Sequence, residues 1–135
     1  MKTVYKVICS LMLILIIATP ATALEVKNVT VIPSNNGVIV KVNYTLDPLT
    51  ALKVFFFGAK TIENDVLSIF NASKNYTIIR IGYSSAEFLF PAERCGNTTY
   101  FSGVDLNVTT NVTICAKTPI LMYTNEIPPI YYNLS

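Results

Sequence analysis

Val38-Ile39-Val40-Lys41-Val42-Asn43-Tyr44-Thr45-Leu46-Asp47-Pro48-Leu49 holds two periodicities and the junction between them. Val38, Val40, Val42, Tyr44 and Leu46 alternate with Ile39, Lys41, Asn43 and Thr45. Side chains of a strand point to opposite faces in turn, so period two marks a half-buried strand with Asn43 on its outer face. Asp47 then offers a side-chain acceptor suited to a helix N-cap. Pro48 suits the first helical position, where no backbone N–H is needed. A strand feeding a capped helix points to an α+β domain.

Outward from this stretch, residues 25–32 are apolar and β-branched, and Pro33-Ser34-Asn35-Asn36-Gly37 forms a turn cluster, so a β-hairpin is expected. On the other side Leu49, Leu52, Phe55 or Phe56, Ala59, Ile62, Val66 and Ile69 recur at steps of three and four. That spacing predicts one helical face packed on the sheet, with Gly58 as a kink or a break into two helices and Asn71 as the stop. Phe55-Phe56-Phe57 is expected to pack in the core, the alternative being a ligand pocket.

Residues 76–83 and 86–90 read as two further strands, and residues 91–96 as a loop that delivers Cys95. Val104, Leu106, Val108, Val112 and Ile114 are apolar at even positions, with Thr110 the exception, and Asp105, Asn107, Thr109, Asn111 and Thr113 lie between them. One long strand is expected, or two meeting near Thr110, with the polar set outward. A final strand is predicted over 119–124. From Ile127 the tail with Pro128-Pro129 must be extended, either as a lid on its own core or as a strand offered to a neighbour. The expected fold is α+β: a mainly antiparallel sheet of about six to seven strands with one long or broken helix packed on it, in the order ββαββββ.

The N-terminus carries Lys2 and Lys6, an apolar run over 7–18, Pro20, and the small-residue triplet Ala21-Thr22-Ala23. Charge, apolar stretch and small-residue exit are what a secretory signal needs, and cleavage is expected after Ala23. The run falls short of the ~20 residues of a bilayer span; an uncleaved anchor is the alternative. Residues 24–135 then form a single extracellular domain, with 127–135 as its extended tail. Lys2 and Lys6 leave with the leader, so the eight acidic residues face eight basic ones. A neutral balance argues against electrostatic capture of nucleic acid.

Asn-x-Ser/Thr sequons occur at Asn28, Asn43, Asn71, Asn75, Asn97, Asn107, Asn111 and Asn133, which are eight of the twelve asparagines. Asn and Thr are also common in turns and on exposed strand faces. This density in an exported chain nevertheless points to N-glycosylation, and a wet sugar coat would supply the solubility that the sparse charge does not. Cys9 leaves with the leader, and the remaining pair, Cys95 and Cys115, is expected to form a disulfide in an oxidising exterior. Such a link would stabilise by about 3 kcal/mol in the chain-entropy model.

The chain contains no His. Triads that use His are therefore impossible, and metal sites lose their commonest ligand. Gly37, Gly58, Gly82, Gly96 and Gly103 are too dispersed for a phosphate loop. Glu63, Asp65, Glu87 and Glu93 remain as acid candidates for glycoside hydrolysis, and solvated surface charge is the simpler account of them. No enzyme activity, cofactor or metal is expected.

The expected function is that of a secreted or cell-surface N-glycosylated structural or interaction protein, an envelope or filament component. Its expected partners are copies of itself or other envelope proteins, without nucleic acid and without a membrane span after cleavage. The alternative is an extracellular binding module for a small apolar or carbohydrate ligand. The signal, dense sequons, low charge and abundant Ile, Thr, Asn and Tyr together resemble the profile of archaeal surface proteins. That likeness is compositional and carries no site residues.

Overall fold

The computed structural model of the chain describes residues 24–71 and 75–134. The leader expected over 1–23, its expected cleavage point and Cys9 lie outside these residues. The chain folds as α+β, mostly strands, in a curled sheet with a second small sheet and two short helices.

Strands β1 (Leu24–Ser34) and β2 (Gly37–Leu46) form the expected antiparallel hairpin, closed between Ser34 and Gly37. Gly37 has φ +137°, and a Cβ there would run into the Phe90 carbonyl of the strand beyond β2. Glycine answers both demands. The Ser34 hydroxyl donates to the Gly37 carbonyl at 2.7 Å and tightens the turn. Lower in the hairpin the register shifts between Val26 and Asn28, leaving Lys27 without a partner position on β2. This bulge changes the phase of β1: Val26 pairs with Tyr44 on the inner side, and Val29 and Val31 are also inward and fully buried. The sequence carries the same phase change, since its apolar positions step from 24 and 26 to 29 and 31.

After β2 come α1 (Pro48–Phe57), a 3-10 turn (Ala59–Ile62) and α2 (Glu63–Leu67). Asp47 caps α1, its carboxylate accepting from the Thr50 N–H at 2.6 Å, with Pro48 in the first turn. Gly58, at φ +88°, ends the helix, so the broken form of the expected helix is the one adopted. The break resets the phase. Ile62, Val66 and Ile69 are buried as expected, but in α1 the buried residues are Thr50 and Val54. Leu52, Phe55, Phe56 and Phe57 are exposed, which corrects the expectation that the Phe triple packs in the core.

The remaining strands are β3 (Phe70–Asn71), β4 (Thr77–Ile81), β5 (Ser85–Phe90), β6 (Glu93–Cys95), β7 (Thr98–Phe101), β8 (Val104–Ile114), β9 (Ile120–Ile127) and β10 (Ile130–Tyr132). The large sheet runs β3-β8-β1-β2-β5-β4, with β9 on β8; the small one runs β10-β7-β6. Pairing is antiparallel except between β1 and β8, so the large sheet is mixed. The short β6–β7 hairpin replaces the loop expected before residue 96, and β3 and β10 are further additions to the expected order.

Its inner face packs against the helices and the small sheet. Phe70, Phe88 and Phe90 are buried and meet with Tyr76 in edge and tilted contacts at 5.0–6.2 Å. Phe90 also reaches Phe101 of the small sheet at 6.1 Å. The C-terminal tail stays on its own domain: Ile127 is buried, β10 pairs with β7, and the Tyr132 hydroxyl donates to the carbonyls of Ser34 at 2.9 Å and Gly37 at 3.1 Å. Burial raises the pKa of Tyr132, an effect its bond to Ser34 partly offsets.

Candidate functional site

The bulge at Lys27 has a second consequence. Putting Val26 and Val29 both inward places Asn28 on the outer face, directly opposite Asn43 on β2 and Asn111 on the parallel strand β8. Asn111 in turn faces Tyr123 on β9. Three sequon asparagines therefore stand in one row across three neighbouring strands, spanning about 10 Å at the usual strand spacing. Asn43 and Asn28 are half-buried, and the Asn43 Nδ2 group donates to Asn28 Oδ1 at 2.6 Å. Asn111 is exposed.

Thr110, the exception in the apolar pattern of β8, belongs to the same device. It is buried, opposite the bulge, and its hydroxyl donates to the Lys27 carbonyl at 3.3 Å. A polar side chain is tolerated inside because the bulge supplies an acceptor for it. The β8–β9 register also shifts between Asp105 and Thr110, so β8 is one strand with an irregular middle.

The other sequon residues lie apart from the row. Asn71 ends β3, Asn75 precedes β4, Asn97 lies at the tip of the β6–β7 hairpin, and Asn133 follows β10. All four are exposed. Asn107 is also exposed on β8, its Nδ2 donating to the Ser68 carbonyl at 2.7 Å. Six of the eight sequon asparagines are thus open to solvent, and two are tied to each other.

Cys95 and Cys115 are free, exposed thiols, so the expected disulfide is absent from the structure. Cys95 closes β6 in the small sheet. Cys115 follows the eleven residues of β8, and its N–H donates to the Val31 carbonyl at 2.9 Å.

The acid candidates do not converge. Glu63 and Asp65 are on α2, Glu87 is on the outer face of β5 with Arg80 at 3.7 Å, and exposed Glu93 is on β6. Arg80 also donates to the Ser85 hydroxyl at 2.9 Å, covering the end of the asparagine row, where Ser85 pairs with Asn43. Beneath it the Tyr44 hydroxyl donates to the carbonyls of Gly82 and Ser85. Burial raises the pKa of Tyr44, partly offset by the positive charge of Arg80. Among the described residues no group of three or more potential ligands could hold a metal ion, and no helix is long and apolar enough to cross a membrane. No family model, curated protein or solved structure compared with the chain matches it.

Proposed function

We propose that this is an exported N-glycosylated protein of the cell surface, with a structural or interaction role, whose sugars sit on its exposed sequon asparagines. The observation that carries this reading is the exposure of Asn71, Asn75, Asn97, Asn107, Asn111 and Asn133. Acceptor asparagines must be reachable by the transferring enzyme and leave room for a sugar, and buried ones are not. The leader read from residues 1–23 supplies the compartment in which sequons are used.

Intact mass spectrometry of the native secreted protein tests the proposal. The expected spectrum corresponds to a chain beginning at Leu24 and carrying several sugars, collapsing to the bare polypeptide mass after chemical deglycosylation. A native mass equal to the unmodified polypeptide contradicts the proposal.

A further inference from the structure

Helix α1 is apolar on both sides. At about 100° per residue, Thr50 and Val54 face the core, while Pro48, Leu52, Phe55 and Phe56 fall together on the opposite arc. Leu52 is 49% exposed, Phe55 77%, Phe56 67% and Phe57 77%. Phe55 and Phe56 contact one another edge to face at 5.3 Å, forming a ridge that covers none of the core. A helix that is hydrophobic all round, or a contiguous exposed apolar patch, marks a surface that is covered in use.

We propose that this outer side of α1 is a membrane-interface surface, which seats the domain on a bilayer bearing anionic headgroups and turns the asparagine row away from it. Charge is the first reason. The two charged residues of α1 and the 3-10 turn are Lys53 and Lys60, both exposed, with no acidic residue in either element. Aromatic and leucine side chains flanked by lysines are the composition of a helix lying in the plane of an anionic interface. A second copy docked through the same stripe would bring the lysines of both copies together, a like-charge arrangement that disfavours self-pairing.

The second reason is orientation. The inner residues of α1 pack on the sheet face opposite the one that carries Asn28, Asn43 and Asn111. Seating the Phe ridge in lipid leaves that row facing water. This surface does not require the asparagines to be modified.

The chain contains no Trp, so a single introduced indole reports its own surroundings. Phe56→Trp in the exported chain beginning at Leu24 is mixed with vesicles of phosphatidylcholine and phosphatidylglycerol, with and without brominated acyl chains. Tyr123→Trp in the same chain, at a 73% exposed position on the outer sheet face, serves as the orientation control. The expected result is blue-shifted, bromine-quenched emission from Phe56→Trp and unchanged emission from Tyr123→Trp. Adding Phe55→Ser to Phe56→Trp is expected to weaken partitioning about tenfold, as befits loss of one buried phenyl ring. Water-exposed emission from Phe56→Trp in the presence of vesicles overturns the proposal. So does equal quenching at both positions, which would mean unspecific adsorption, or a blue shift without vesicles at doubled molecular mass, which would mean a second copy covers the ridge.

Discussion

Deleting residues 127–135 is expected to destabilise the domain by about 4 kcal/mol or more, a large share of the 5–15 kcal/mol that holds a typical domain together. Ile127 is 1% exposed, and truncating a buried Ile alone costs about 2–5 kcal/mol. The single Tyr132 O–H is shared between the carbonyls of Ser34 and Gly37, a bifurcated bond that contributes about 1 kcal/mol. Loss of β10 also strips one side of β7, which carries the buried Phe101. Urea unfolding of the full-length and shortened chains measures the effect. A tail that served mainly to complete a neighbour's sheet would leave the stability of the shortened monomer unchanged and abolish only association.

Phe90→Ala is expected to cost about 3–5 kcal/mol, in the range for emptying a large aromatic from a packed core. Phe90 is fully buried and touches Phe70 at 5.2 Å, Tyr76 at 5.3 Å and Phe101 at 6.1 Å. It thereby joins the large sheet, the segment after α2 and the small sheet. Phe56→Ala is the matched control. With Phe56 67% exposed, its removal should change stability by no more than about 0.5 kcal/mol. The two variants have identical composition, so the difference between their urea midpoints isolates burial. Equal losses at both positions would mean that the Phe triple packs in the core after all.

Much of the fold can be read along the chain because alternation is local. The inner set Val38, Val40, Val42 and Tyr44 is buried as the pattern requires, and Asp47 with Pro48 marks the helix start to the residue. The even positions of β8 face inward, Thr110 included. What escaped the sequence is non-local. The face of α1 does not follow from the second half of the helical pattern, because Gly58 at φ +88° lets each half choose its own phase. The β6–β7 hairpin is short and polar, without a periodic signal, and is held by pairing with the tail. Parallel pairing of β1 with β8 joins segments some eighty residues apart, for which alternation gives no register.

The asparagine face was half legible. Sequon positions and the outward phase of Asn43, Asn107 and Asn111 follow from the sequence. The alignment of Asn28 with Asn43 and Asn111 depends on the bulge at Lys27. Its trace is the step in apolar phase between Val26 and Val29, a signal visible only when β1 is divided into two strands of different phase.

Glycopeptide mapping of the native protein, site by site, tests the glycoprotein reading most directly. Sugars added to the folded domain should occupy the exposed asparagines, Asn111 on the outer row among them, and leave the mutually bonded Asn28 and Asn43 largely unmodified. Unmodified asparagine at all eight sequons would contradict the account.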